Sequence, residues 1–199
     1  IRGYEALTLH LQLKRRGRLP TREAAQIGAE LADALCHLHG HGVTHGDVKP
    51  GNVLRLGSRW TLADYGLARD LVNPQGAGHT PGYAPLEGPG GPAADQYALG
   101  VVLFEMLTGG TAGELNNFRS SPIKGFKLDA EAPRLHGVIL RATSPRPQDR
   151  FGSLREMTAA LRAICTGRFS RRRLGVAALL AVLAIAAAVI VPPLVRTSL

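Results

Sequence analysis

Apolar residues recur along the chain in distinct patterns, and each pattern predicts a different element. Leu7, Leu9, Leu11 and Leu13 lie close together in an opening segment that runs into the basic stretch Lys14 to Arg18. Ile27, Leu31, Ala34, Leu35 and Leu38 then recur at helical spacing, which predicts an amphipathic core helix. Thr21 can cap it, Glu23 in its first turn suits the helix dipole, and Gly40 and Gly42 end it. Val43-Thr44, Val53-Leu54-Arg55-Leu56 and Trp60-Thr61-Leu62-Ala63 predict short strands separated by turn residues, with chemistry on the loops at their ends.

Gly88 to Ala94 is rich in Gly and Pro and predicts a loop. Asp95 to Leu107 is apolar almost all round and stops at Gly109-Gly110, which predicts a buried strut too short to span a membrane. Leu135 to Thr143 predicts a short helix, and Ser153 with Glu156 forms a Ser-x-x-Glu capping box for a last amphipathic helix ending near Cys165. Leu174 to Val191 is apolar without interruption and continues through Pro192-Pro193 to Val195. About 18 residues at about 1.5 Å each reach about 27 Å, close to a bilayer core, so this run predicts a single membrane span.

The length of 199 residues fits one domain plus a tail, and 45% hydrophobic content is enough for a core. A net charge of +9 raises nucleic acid as a partner. The basic residues are scattered, however, clustering only at Lys14 to Arg18 and Arg168 to Arg173 without interleaved aromatics, which argues against nucleic-acid binding. Cys36 and Cys165 match no metal or redox spacing and are expected as buried thiols in a reducing compartment. His37, His39 and His41 have the look of a metal cluster, but alternate spacing at a frayed helix end predicts solvated side chains. The chain opens on Ile1 without the pattern of a signal peptide and is expected to begin mid-protein. Arg168, Arg171, Arg172 and Arg173 precede the apolar run and Arg196 follows it, which places the folded part in the cytoplasm. The span is expected to serve as an anchor or as a dimerisation element for a homodimer, its alanines allowing close packing.

The chemistry concentrates in His45-Gly46-Asp47-Val48-Lys49-Pro50-Gly51-Asn52 and, twelve positions on, Asp64-Tyr65-Gly66. Two acids, a lysine and an asparagine at this spacing meet the needs of phosphoryl transfer: a carboxylate for the incoming hydroxyl, a cation for the γ-phosphate and oxygen ligands for Mg²⁺. The plain alternative is turn punctuation, since Asp, Pro, Gly and Asn all favour turns.

The run resembles the catalytic loop of protein kinases, H-R-D-x-K-x-x-N, followed by the D-F-G metal motif, with Lys49 and Pro50 typical of the serine/threonine branch. The resemblance implies that Asp47 accepts the substrate hydroxyl proton and that Lys49 neutralises charge on the transferring phosphate of ATP. It also implies that Asn52 and Asp64 hold Mg²⁺, or Mn²⁺ in its place, with His45 and Gly66 as structural members. Thr80-Pro81-Gly82-Tyr83-Ala84-Pro85-Leu86-Glu87 resembles T-P-G-Y-A-A-P-E, with the proline one position early and Leu86 in its usual place. Thr80 would contact Asp47 and Lys49 and help to place a Ser or Thr acceptor. Asp95-Gln96-Tyr97-Ala98-Leu99-Gly100 resembles D-x-W-S-L-G, which implies that Asp95 bonds the catalytic-loop backbone. Pro147 to Arg150 resembles P-x-x-R, which implies a buried ion pair between Arg150 and Glu87. Gly46 stands where many kinases carry an arginine that pairs with an activation-segment phosphate, and Thr80 is the only Ser or Thr from Asp64 to Glu87. Activity independent of phosphorylation on that segment is therefore expected.

Tyr4 to Leu9 would sit just past the hinge where adenine docks. The family's Gly-rich loop, strand lysine and helix glutamate have no place before Ile1, so the resemblance covers residues 1 to about 165 and only the larger lobe. The expected fold is α+β, mainly α: a protein-kinase-like C-lobe with its hinge-proximal segment over 1–166, a basic juxtamembrane linker over 167–173, a transmembrane helix over 174–195 and a short extracytoplasmic tail over 196–199. This layout resembles bacterial transmembrane serine/threonine kinases, which transfer the ATP γ-phosphate to Ser or Thr hydroxyls of protein substrates. The alternatives are a catalytically incomplete fragment or pseudokinase acting as a membrane-bound binding module, and a small-molecule phosphotransferase of related fold. The Thr80 to Glu87 segment, fitted to extended peptides, disfavours the last.

Overall fold

In the computed structural model, residues 7–64, 69–70, 80–88, 90–120 and 129–166 are described. The helices are α1 (Leu9–Arg16), α2 (Thr21–Gly40), α3 (Gly91–Thr108), α4 (Leu115–Ser120), α5 (Ala132–Ala142) and α6 (Leu154–Thr166). The strands are β1 (Val43–Thr44), β2 (Val53–Leu56), β3 (Arg59–Leu62) and β4 (Arg69–Asp70). The result is a mainly helical α+β architecture. By internal contacts the chain divides after Cys165, and this fold is that of the first unit.

The all-round apolar helix α3 is the axis, packed against α2, α5 and β1. Leu99, Leu103 and Leu107 on it are fully buried, and each such side chain contributes about 1.5–3 kcal/mol by leaving water. Its end follows from sequence: Gly109 adopts the left-handed conformation (φ 74°, ψ 4°) and donates its N–H to Glu105 O at 2.8 Å. Its start does not match the expected loop from Gly88 to Ala94. The helix begins at Gly91 with Pro92 in its first turn, where a missing N–H costs nothing and the fixed φ is already helical.

Two glycines let neighbouring helices close on this axis. A Cβ on Gly28 of α2 would fall 2.6 Å from Leu103 Cδ2 and 3.4 Å from Leu161 Cδ1 of α6. A Cβ on Gly100 would fall 2.6 Å from Thr143 Cγ2 and 2.9 Å from Ala142 Cβ. Gly100→Ala is therefore expected to lower stability by about 1–3 kcal/mol despite alanine's better helix propensity. Urea denaturation checks this, and an unchanged or raised midpoint would show that α5 can give way.

The remaining departures have local causes. Of the opening leucines, Leu9, Leu11 and Leu13 fall in α1, capped by Thr8, whose Oγ1 accepts from Leu11 N at 3.1 Å. Thr21 is not a cap but the first helical residue after Pro20; its N–H is met by Asp129 Oδ2 at 3.1 Å, from 108 positions away. β2 and β3 form an antiparallel hairpin with Val53 opposite Leu62 and Leu56 opposite Arg59, so the second strand starts and ends one residue before the expected Trp60 to Ala63. β4, unanticipated, pairs antiparallel with β1, Thr44 opposite Arg69. Before α6, Ser153 Oγ accepts from Glu156 N at 3.3 Å, but Glu156 reaches past the cap to Gly152 N at 2.9 Å, so the capping box is shifted by one residue.

Among the described residues no helix is long and apolar enough to cross a membrane. The span expected over 174–195, its flanking arginines Arg168 to Arg173 and Arg196, and the tail 196–199 lie outside the described residues, as do Tyr4, Tyr65 and Gly66.

Candidate active site

The loop between β1 and β2 carries the candidate catalytic groups, and α3 fixes it from below through one buried carboxylate. Asp95, 2% exposed, accepts the backbone N–H of His45 at Oδ2 (2.8 Å) and that of Gly46 at Oδ1 (2.9 Å). His39 Nε2 also donates to Oδ2 at 2.8 Å. The expected bond from Asp95 to the loop backbone is present. The expected solvated His39 is not: its side chain is only 13% exposed because it pairs with this carboxylate.

His45 is fully buried and orders the same turn. Asp47 N donates to its Nδ1 at 3.3 Å, and its Nε2 faces Ala63 O at 3.2 Å. In that pattern Nδ1 accepts and Nε2 donates, and the ring ties the loop to the strand end preceding Asp64. Gly46 takes φ 79°, a conformation that the glycine supplies without strain.

Asp47, Lys49, Asn52 and Thr80 converge. Asp47 Oδ1 accepts from Thr80 Oγ1 at 2.7 Å, and Asp47 Oδ2 accepts from Lys49 Nζ at 2.6 Å and from Asn52 Nδ2 at 2.9 Å. Lys49 Nζ also donates to Thr80 Oγ1 at 2.8 Å, closing a ring of three side chains. A carboxylate offers about four acceptor positions, and among the described residues these contacts take three of them. Burial pushes the Asp47 carboxyl up, but the hydrogen bonds from Lys49, Thr80 and Asn52 and the Lys49 charge outweigh it and hold it below the usual carboxylate range.

Asn52 spends its amide hydrogens on Asp47 O and Oδ2, both at 2.9 Å, which turns its Oδ1, a hard oxygen, away as an acceptor. Its own carbonyl accepts from Ala63 N at 2.8 Å, so Asp64 begins right beside it. Asp64 is exposed and is the one non-glycine residue at positive φ (64°) among the described residues. Such a conformation costs energy and is held where the surroundings require it, often at functional sites. Two oxygen donors of this kind suit Mg²⁺, which keeps waters and phosphate oxygens as its other ligands. Among the described residues no group of three or more His, Cys, Asp and Glu is placed to hold a metal.

Glu87 and Arg150 do pair, Oε1 to Nη1 at 2.6 Å, with side-chain exposures of 34% and 1%. The expected pair is present, buried at the Arg150 end and half-buried at Glu87. Arg150 Nε also donates to Ser144 O at 2.9 Å, and Nη1 to Ala93 O at 3.0 Å.

Other polar groups went unread in the sequence. Tyr83 donates to both oxygens of Glu105 (3.0 and 2.9 Å), and Ala112 N donates to Oε1 at 3.0 Å. Burial raises both the Glu105 carboxyl and the Tyr83 hydroxyl above their ordinary values. An acid deep inside an apolar stretch of helix was itself the signal, because a buried carboxylate requires partners. Gln96 exchanges hydrogen bonds with the Phe151 backbone, Nε2 to O at 3.1 Å and N to Oε1 at 2.8 Å, fastening α3 to the segment that leads into α6.

A catalytic-loop carboxylate bridged to lysine and threonine, an anchoring aspartate on a buried helix, and a glutamate clasped by a late arginine occur together in the larger lobe of protein kinases. Residues 3–156 match the family described as "Protein kinase domain", and the chain belongs to that family. It is similar to "Serine/threonine-protein kinase PknI" of Mycobacterium tuberculosis, 35% identical over 151 residues that make up 72% of this chain and 24% of that protein. It is also similar to "Probable serine/threonine-protein kinase PknB" of Lactococcus lactis (30% identical, 77% of this chain, 27% of that one). "Serine/threonine-protein kinase PrkC" of Bacillus subtilis is 29% identical over 85% of this chain and 29% of its own length. The chain spans about a quarter of the length of these curated relatives.

Proposed function

We propose that the protein is a serine/threonine protein kinase that transfers the γ-phosphate of ATP to Ser or Thr hydroxyls of protein substrates. The observation that carries this reading is the closed ring of Asp47, Lys49 and Thr80, built on a family match that includes relatives named serine/threonine kinases. Asp47 orients the acceptor hydroxyl through its remaining acceptor position and takes its proton. Lys49, 30% exposed at the side chain, offsets charge on the transferring phosphoryl group. Thr80 holds both in register and borders the acceptor. Asn52 and Asp64 would hold Mg²⁺, which when bound neutralises charge on the phosphates of ATP. The test is transfer of radiolabel from Mg-ATP to a protein acceptor, compared with the Asp47→Asn variant. Equal signal from the two would remove the enzyme reading.

The kinase domain is assigned to 1–166. We further propose a single membrane anchor over 174–195, supported by its uninterrupted apolar run and the arginines before it, with the kinase domain cytoplasmic and the span available for dimerisation. Gly46 leaves no guanidinium at that position for an activation-segment phosphate. Phosphatase treatment of the purified protein is therefore expected to leave its initial rate unchanged, and a fall to background that tracks loss of phosphate from residues 64–87 would refute this.

A further inference from the structure

The axis α3 carries a second buried acid besides Asp95, and the catalytic ring does not use it. Glu105, in the last turn of the helix and 9% exposed, accepts the Tyr83 hydroxyl at both carboxylate oxygens and the Ala112 N–H at Oε1. Three hydrogen bonds from two donors on one carboxylate suit its ionised form, which only accepts. Burial works the other way and pushes the carboxyl above its ordinary range against the bonds from Tyr83 and Ala112. The charge is therefore held by those two partners.

What the carboxylate holds is the turn that starts at Thr80. Tyr83 N donates to Thr80 O at 3.2 Å, and Thr80 Oγ1 is a member of the ring with Asp47 and Lys49. The turn also rests on the segment whose N–H Glu105 accepts, because a Cβ on Gly82 would fall 2.9 Å from Ala112 Cβ. Tyr83 and Asp47 line one small cavity. Burial and the charges of Glu105 and Asp47 push the Tyr83 hydroxyl up, so it stays a donor. A protein that presents a hydroxyl to Asp47 has to pass beside this turn, where Pro81, Gly82 and Leu86 are exposed.

We infer that Glu105 is a positioning residue for the protein substrate, a proton-sensitive clasp whose ionised carboxylate holds Tyr83 and with it the turn from Thr80 to Leu86. When a proton binds, one oxygen gains a hydrogen facing the Tyr83 hydroxyl, donor against donor until Tyr83 turns, and the charge that strengthened every bond is gone. Other titratable groups of the elements around α3 are engaged elsewhere. Glu114 accepts from Thr111, His136 of α5 lies edge-on to Phe118, and His39 of α2 bonds Asp95. Arg18, whose Cβ would lie 3.6 Å from a Cβ on Gly109, is exposed. The effect on substrate rests on the kinase reading, whereas the clasp does not.

The test is steady-state phosphorylation of myelin basic protein by the full chain from about pH 8 to about pH 5, with KM measured separately for the acceptor and for Mg-ATP. In the wild type, KM for the acceptor is expected to rise toward acid while KM for ATP holds. Glu105→Gln keeps one oxygen for Tyr83 and Ala112, so it is expected to fold, which its urea midpoint verifies. Its KM for the acceptor is expected to be about tenfold higher at about pH 8, the worth of one charge-assisted bond, and flat with pH. Tyr83→Phe is expected to raise the same constant and flatten the same profile. A flat wild-type profile, a Glu105→Gln profile that still rises toward acid, or a KM for ATP that climbs in step overturns the proposal. In the same preparations, hydrogen exchange at the Tyr83 and Ala112 amides is expected to be several-fold faster in Glu105→Gln. If no chain transfers phosphate, the kinase reading has failed and exchange alone decides the clasp. Unchanged exchange overturns it.

Discussion

Asp47→Asn is expected to lower the rate of phosphoryl transfer by about 10²–10⁴-fold while the protein stays folded, the range over which a positioned general base acts. The substitution keeps the shape but removes the acceptor chemistry. Lys49 Nζ and Asn52 Nδ2 both donate to Oδ2, so the new NH₂ can sit only on the Oδ1 side, where Thr80 Oγ1 must turn from donor to acceptor and the negative charge that Lys49 pairs with is gone. Single-turnover transfer from Mg-ATP measures the loss, and circular dichroism verifies the fold. A variant within about threefold of wild type would mean that positioning alone, without the base, carries the reaction. The pH dependence has a definite sign. The folded-state value of Asp47 lies below its unfolded one, so its contribution to stability is fully present above about pH 3.9 and fades as pH falls through the lower folded value. Loss of activity at mildly acid pH, well above that window, would have to come from another group.

What could be read from the sequence was whatever depends on neighbours along the chain. The axis α3 was legible because every face of it is apolar, and its end was legible because Gly109 is followed by Gly110. The catalytic loop and the Asp95 contact were legible through motif spacing and family resemblance. What escaped depends on distant partners. The N–H at the start of α2 is capped by Asp129, so no local rule would stop the helix at Pro20 rather than Thr21. His39 looked solvated at a frayed end until α3 brought Asp95 to it, 56 positions on. The Glu87–Arg150 pair was anticipated, but its half-exposed end was not, because exposure depends on what packs over the turn. Leu86, 95% exposed, occupies the place of the family's proline in that turn and covers nothing.

Replacing Asp95 is expected to cost more stability than any other change at the site. Its carboxylate serves the amides of His45 and Gly46 and the His39 ring, with no water to replace it at 2% exposure. Asp95→Ala strands buried donors at about 1–3 kcal/mol each and removes one partner of a buried polar pair, so a total of about 3–5 kcal/mol is expected. Against a domain stability of about 5–15 kcal/mol, that leaves a large unfolded fraction. Asp95→Asn separates anchoring from folding. One oxygen remains for one amide, while the NH₂ opposes the other amide or His39, so the helix packs as before and the loop loosens. The expected signature is a moderate drop in the urea midpoint, faster hydrogen exchange at His45 and Gly46, and a fall in kcat greater than the change in KM for ATP. If Asp95→Asn left exchange at those amides untouched, the loop would be held by the His45 ring instead, through its contacts with Asp47 N and Ala63 O.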